Sequence, residues 1–154
     1  MSEWKRSTRE VSWESLPAEM AKAIEQHMER YNLGPILSDA LMFIQTDSEK
    51  AKKGLLRARS HIRMAAILTP RWLIWSVDES KGKPTVLSAQ LIHTTVQDYA
   101  QTPFVKMVPD SGIQVSGMFT DASESVSAFI GLEENLAGQK FREAVIKAAA
   151  AAKK

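Results

Sequence analysis

The sequence contains no cysteine among its 154 residues. Disulfide bonds, thiolate metal ligands and a cysteine nucleophile are therefore excluded. No apolar run reaches the roughly 18 residues that a membrane-spanning helix requires. The opening segment, MSEWKRSTREVSWESLP, also lacks the apolar stretch of a secretory signal. From these absences we expect a soluble protein of the cytoplasm.

The composition is that of an ordinary globular domain, with 44% hydrophobic and 25% charged residues. A chain of this length can bury a core without metals or disulfides. The formal net charge is only +2, yet no Asp or Glu occurs from Lys50 through Arg71. Within this part, the stretch KAKKGLLRARSHIR at 50–63 holds seven Lys, Arg or His residues. Such a local excess attracts anionic partners more strongly than the net charge suggests.

The N-terminal part of the chain predicts a polar arm followed by one helix. The first dozen residues are polar, and we expect them to be loose, with Trp4 and Trp13 as possible anchors onto the body. A helix is predicted from residue 15 or 16 to residue 31, because apolar residues recur at helical spacing at Met20, Ile24, Met28 and Tyr31. Asn-Leu-Gly-Pro at 32–35 ends it. We therefore expect an arm with a helix at 1–35 and a main body at 36–154, together forming one domain.

The main body is dominated by patterns typical of strands. About seven are predicted, at 40–47, 60–69, 71–78, 85–99, 104–108, 112–119 and 125–132. A final helix is predicted from Glu133 to Ala152, with one apolar face formed by Ala137, Phe141, Ala144, Val145 and Ala148. Sequential antiparallel strands at this spacing curl into a bent barrel, and the final helix is suited to close its open end.

Two segments carry a resemblance to a known superfold. ILTPRWLIWS at 67–76, followed by KGKPTVLSAQLIHTTV at 81–96, resembles bacterial members of the pleckstrin-homology-like (PH-like) superfold. The resemblance covers roughly residues 36–152. It implies an α+β fold, with a barrel of about seven antiparallel strands capped by a C-terminal helix and with the N-terminal helix as an addition. Phe141 stands where many eukaryotic members have a tryptophan.

The histidines do not form a catalytic pattern. His27 has Tyr31 rather than a second ligand at the i+4 position, so helical zinc spacing is absent. His61 and His93 lie on different predicted strands without the adjacent carboxylate that orients a catalytic imidazole. The sequence also lacks the nucleophile elbow, the Walker loop and the dinucleotide glycine motif. We therefore expect a non-enzyme without cofactor or metal, and keep an enzyme using His61 or His93 as a remote alternative.

The basic stretch is the candidate binding site. Phosphoinositide-binding PH-like domains carry a Lys, a gap and then Lys/Arg-x-Arg, and the resemblance places Lys50, a gap and Arg57-Ala58-Arg59 in this pattern. The candidate residues for an anion or lipid headgroup are Lys50, Lys52, Lys53, Arg57, Arg59 and Arg63. Arg57 and Arg59 are expected on one face of a strand, where two guanidinium groups can hold phosphate. The alternative is a solvated strand face, since Lys and Arg are favoured on exposed edges.

The sequence favours a non-catalytic binding module. Protein–protein interaction or self-association is the leading hypothesis, with an unknown protein partner or a second copy of the chain. The alternative is binding of an anionic lipid headgroup, a membrane surface or another phosphate through residues 50–63. Nucleic acid is disfavoured, because the nearest aromatic residues, Trp72 and Trp75, lie beyond a proline corner rather than among the basic residues.

Overall fold

The computed structural model describes residues 4–51, 59–79 and 83–154. One seven-stranded sheet forms its centre, and each strand pairs antiparallel with the next along the chain. The strands are β1 (Lys5–Glu10), β2 (Met42–Ala51), β3 (Arg59–Leu68), β4 (Trp72–Asp78), β5 (Thr85–Asp98), β6 (Gly112–Phe119) and β7 (Val126–Gly131). The helices are α1 (Ala18–Arg30), α2 (Ile36–Asp39) and α3 (Leu136–Ala152), and 3-10 turns occur at Trp13–Ser15, Tyr99–Gln101 and Pro103–Lys106.

The sheet curls into a half-barrel with α3 packed on its concave side. The predicted antiparallel sheet with a C-terminal helix is thereby confirmed. Among the described residues, no helix combines the length and the apolar character needed to cross a bilayer.

Two local predictions are wrong. Residues 5–10 of the arm expected to be loose form strand β1, which pairs with β2 along its whole length. The sequence of this strand, KRSTRE, shows no alternation of apolar and polar residues, because Thr8 is its only buried residue. The second error is FVKMV at 104–108, which is not a strand, because Pro103 begins a 3-10 turn there. Proline restricts φ and has no backbone N–H for a ladder, and both effects favour a turn.

Helix α3 fills part of the concave side of the sheet. The side-chain oxygen of Asn135 caps it by accepting a hydrogen bond from the backbone N–H of Gly138 at 2.9 Å. Phe141 and Val145 are fully buried against residues of the sheet such as Leu91. Each large apolar side chain buried in this way contributes about 1.5–3 kcal/mol. This apolar face therefore holds α3 on the sheet.

Helix α1 lies on the opposite, convex side of β3 and β4. Its predicted apolar stripe is buried there, with Met20 and Ile24 fully enclosed against Ile67 and Ile74. The molecule thus has two apolar clusters, one on each side of the sheet. The N-terminal helix is an integral layer of the structure, because its apolar face is covered by the sheet.

The two outer strands approach each other along a seam. The backbone N–H of Thr8 donates to Glu133 Oε1 at 2.9 Å, and the backbone N–H of Glu133 donates to Thr8 Oγ1 at 2.8 Å. Arg6 and Gly131, which precede Thr8 and Glu133 by two residues, also meet at the seam. The guanidinium of Arg6 lies so close to Gly131 that a methyl group on Gly131 would be only 2.3 Å from it. Side chains and the chain after β7 therefore close this edge of the half-barrel.

Candidate functional site: the mouth of the half-barrel

The part of the concave side that α3 leaves open forms a cavity of about 620 Å³. Its floor is continuous with the core, since Met64, Trp75 and Ile130 belong to both. Its aromatic lining consists of Trp4, Trp75, Tyr99, Phe104 and Phe129. We call this cavity and its rim the mouth. A cavity of this size with a mainly apolar lining lies in the range of ligand pockets, roughly 300–1,000 Å³.

Arg6 and Asp110 form a buried ion pair in the wall of the mouth. Arg6 donates through Nε and Nη2 to the two carboxylate oxygens of Asp110, at 3.1 and 2.5 Å, and through Nη1 to Ser48 Oγ at 2.6 Å. Its guanidinium also lies 5.4 Å from the ring centre of Trp4 and 5.5 Å from that of Phe129. Both partners of the ion pair are nearly buried. This pair therefore neutralises itself inside the apolar wall.

The rim carries an exposed apolar segment at 104–108. Phe104 is 53% exposed, Met107 83% and Val108 62%. The segment is held at its base, because Tyr99 donates through its hydroxyl to the backbone oxygen of Val108 at 2.7 Å. Lys106 lies within the segment and is itself exposed. Large apolar side chains displayed together in this way mark an interaction surface.

The structure places only part of the predicted basic site. Lys50 lies on β2 with its Nζ 5.8 Å from the ring centre of Trp4, so it is at the rim of the mouth. Arg59 is described in its backbone alone, where it pairs with Ala51, while Lys50 pairs with Ser60. Lys52, Lys53 and Arg57 lie outside the described residues. The predicted meeting of Lys50, Arg57 and Arg59 on one spot stays a prediction.

Arg63 is engaged away from the mouth, on the side of the sheet that α1 covers. It donates through Nη2 to Asp78 Oδ2 at 2.8 Å and to Glu19 Oε1 of α1. These hydrogen bonds, first that of Asp78 and then that of Glu19, raise the pKa of Arg63. Its guanidinium charge is thus balanced by two carboxylates. Arg63 joins helix α1 to strands β3 and β4.

The described residues contain one serine–histidine contact. His27 Nε2 lies 2.8 Å from Ser88 Oγ, which donates to Thr120 Oγ1 at 2.7 Å. Ser88 is fully buried, so its hydroxyl cannot reach a substrate. The contact instead ties α1 to β5. Burial lowers the pKa of His27, and the charge of Arg30 lowers it further.

The other histidines also stand apart from catalytic groups. His61 and His93 are exposed on β3 and β5. Within the described part of the chain, no group of three or more His, Asp or Glu side chains is arranged to hold a metal ion.

Most residues of the mouth were not identified from the sequence. Trp4 was expected as a possible anchor of the arm on the body but not as part of a cavity, and nothing near Arg6 in sequence indicates its pairing with Asp110, 104 residues away. One local signal was present: FVKMV lies between Pro103 and Pro109 and has too few polar residues for an ordinary loop. Comparison with protein-family models, with curated proteins and with solved structures finds no match for the chain.

Proposed function

We propose that the chain is a PH-like domain and a non-catalytic binding module that docks its mouth on an anionic membrane surface. The curled seven-stranded sheet with α3 on its concave side supports the PH-like assignment. The observation that carries the membrane proposal is the apolar segment at 104–108, which displays three large apolar side chains around Lys106. Apolar side chains that enter the boundary of a bilayer, together with lysines facing its headgroups, are the usual basis of peripheral membrane binding.

The charge at the rim complements an anionic surface. Lys106 lies within the apolar segment, and Lys50 lies on the other side of the mouth beside Trp4. Lys83 is close by, since it lines a small cavity with Val77 and Glu79, which also line the mouth. A lysine near an anionic bilayer contributes about 1 kcal/mol to binding. Apolar insertion and these charges act together at one end of the molecule.

Protein interaction and self-association have less structural support than the sequence suggested. The N-terminal helix could either pack on the barrel or mediate assembly, and in the structure its apolar face is buried against β3 and β4. The sheet edges expected to be exposed approach each other at the seam between β1 and the residues after β7. Self-association stays a prediction, and light scattering after size exclusion tests it. A strict monomer at high protein concentration would remove it.

The membrane proposal predicts that Met107→Asp weakens binding to anionic vesicles by about tenfold. A buried methionine side chain contributes about 1.5–3 kcal/mol, and about 1.4 kcal/mol corresponds to a tenfold change in affinity. The measurement is co-sedimentation with phosphatidylcholine vesicles that contain phosphatidylserine. Met107 does not line the cavity, so this variant leaves the interior of the mouth unchanged.

Met118→Asp is the matched control, because Met118 is 49% exposed on β6 and does not line the mouth. Its binding should equal that of the unmodified protein. Raising the salt from about 0.1 M to about 1 M shortens the screening length from about 10 Å to about 3 Å and should weaken binding. Absence of vesicle binding at low salt, or an equal loss in both variants, would contradict the proposal.

A further inference from the structure

We infer that the mouth cavity takes the hydrocarbon chain of a single-chain anionic amphiphile, whose carboxylate or phosphate head stays at the rim. The inference rests on the proposed function of the mouth, and it adds the class of molecule that the cavity itself accepts. The cavity of about 620 Å³ lies directly behind the exposed segment, and Phe104 and Val108 line it as well as forming the rim. A chain could therefore pass from the surface into the cavity along these two side chains.

The interior of the cavity suits hydrocarbon better than polypeptide. Ile62, Val77 and Ile130 line it beside the aromatic residues. Three polar side chains of its wall bind one another, since Arg6 donates to both oxygens of Asp110 and to Ser48. Glu79 and Gln114 line the cavity as well. The hydroxyl of Tyr99 is also used, on the backbone oxygen of Val108. A polypeptide would bring amide groups that need partners when buried, whereas an alkyl chain brings none.

The charges at the rim decide the head of the ligand. The positive charge of Arg6 is neutralised by Asp110 within the wall, so this pair offers no net charge to an anion, and Glu79 adds a negative charge to the lining. Lys106 is exposed between Phe104 and Val108, and Lys50 is beside Trp4 at the opposite edge. An anionic head is therefore favoured beside Lys106, while its chain lies among the apolar side chains below.

The four tryptophans provide a direct test. Trp4 and Trp75 line the cavity, whereas Trp13 and Trp72 pack against the apolar cluster under α1. The full chain, labelled with nitrogen-15, is titrated with dodecanoate or with dodecyl phosphate, each kept below its micelle concentration. We expect the indole signals of Trp4 and Trp75 to shift and those of Trp13 and Trp72 to stay in place.

Dodecanoate and dodecyl phosphate distinguish which class of amphiphile supplies the hydrocarbon chain. A stronger response to dodecanoate indicates a fatty acid, and a stronger response to dodecyl phosphate indicates a lipid phosphate. Acetate and inorganic phosphate present the same heads without the chain and should leave all four signals unchanged. The inference is overturned if these small anions shift the signals equally, or if the long-chain compounds leave Trp4 and Trp75 unchanged.

A matched pair of variants tests the location. Ile62→Trp adds an indole to the half-buried lining of the cavity, whereas Ile92→Trp makes the same change on the exposed surface of β5. We expect Ile62→Trp to weaken dodecanoate binding by about tenfold or more. The indole would fill space that several methylene groups of the ligand otherwise occupy, and the burial of those groups stabilises the complex. Ile92→Trp should bind as the unmodified protein does. Equal binding by both variants would place the ligand elsewhere.

Vesicle binding separates this inference from the proposed function. If vesicles sediment the protein but dodecanoate and dodecyl phosphate leave Trp4 and Trp75 unchanged, the membrane proposal stands and the cavity inference falls. If the long-chain compounds bind and vesicles do not, the cavity inference stands without the membrane proposal.

Discussion

Arg63 shows how strongly the partners of one side chain decide its role. The sequence placed it among the candidate anion-binding residues, but its guanidinium binds Asp78 and Glu19 beneath α1. Glu19 is 44 residues away and Asp78 is 15 residues away, so local sequence could not reveal either pairing. Successive residues of a strand point to opposite sides of the sheet, so Arg63 and Ile62 lie on different sides, but nothing in β3 indicates that a helix covers the side of Arg63.

Arg63→Met is expected to lower the free energy of unfolding by about 3–5 kcal/mol, the usual cost of leaving a buried charge without its partner. The exposed fraction of the Asp78 side chain is only 3%, so water cannot replace the guanidinium. Urea unfolding measures the change. Arg9→Met is the control, because Arg9 pairs with Asp47 at the surface and its loss should cost less than about 1 kcal/mol. Similar losses in the two variants would contradict the buried role of Arg63.

His27 gives the molecule a pH-dependent stability. Its folded-state pKa is below the usual 6.5, chiefly because of burial, so the unfolded chain binds more protons as the pH falls below about 6.5. The free energy of unfolding should therefore decrease as the pH is lowered through this range. Glu19 also has a lowered pKa, because of its hydrogen bond with Arg63, but it titrates below its usual 4.5.

His27→Gln should remove most of the decrease between about pH 7.5 and pH 5.5, since glutamine does not titrate. Urea unfolding at a series of pH values measures the slope. An unchanged slope in the variant would assign the decrease to another group. At low pH, both proteins should still lose the contribution of Glu19.

At the scale of the elements, strand β5 and helix α3 are joined by the side chain of Lys153, the residue directly after α3. The strand pairing of β5 with β6 shifts its register between Ala89 and Thr94. Lys153, directly after α3, donates through Nζ to the backbone oxygens of Leu91 at 2.8 Å, Thr94 at 2.5 Å and Ala149 at 3.0 Å. One lysine thus holds carbonyl groups of both the irregular strand and the helix end.

Lys153→Met should cost about 1 kcal/mol, because three carbonyl groups lose a charged donor that water replaces only in part. Amide hydrogen exchange should become faster at residues 91–94 than in the rest of β5. Lys154→Met changes the neighbouring, exposed residue and should have little effect. Equal rates of amide hydrogen exchange at residues 91–94 in Lys153→Met and Lys154→Met would show that Lys153 does not stabilise this part of β5.

The elements also show where sequence patterns suffice. The final helix was predicted at 133–152 and found as Leu136–Ala152, because its apolar face repeats at helical spacing. The difference at its start arises from Glu133, whose backbone and side chain bind Thr8 of β1 instead. Strand β1 could not be predicted, because its neighbour β2 supplies the ladder and its own side chains are mostly exposed.

At the scale of the whole molecule, closure of the half-barrel shapes the mouth. Gly131 allows Arg6 to lie across the seam and reach Asp110. Gly131→Ala would place a methyl group within 2.3 Å of the guanidinium. We expect a loss of about 1–3 kcal/mol in the free energy of unfolding, as for other overpacked sites, and a change in Trp4 fluorescence as Arg6 moves.

Val126→Ala on the same strand is the control for this substitution, since Val126 is partly exposed and does not line the mouth. If the fluorescence of Trp4 is the same in Gly131→Ala as in the unmodified protein, the added methyl group does not displace Arg6, and this prediction is wrong. The cavity itself could not be predicted from sequence, because its wall combines residues from six strands and from the segment between β5 and β6.

The contacts at the seam also determine the order in which parts of the molecule can fold during synthesis. Thr8 is made early in synthesis, but its partner Glu133 lies 125 residues later in the chain. β1 can pair with β2 once residue 51 is available, whereas its other edge stays open until the segment after β7 has been made. Contacts of such high sequence separation slow folding, typically into the range of milliseconds to seconds. The mouth therefore cannot assemble until β7 has been made, because its wall runs from Trp4 to Gly131.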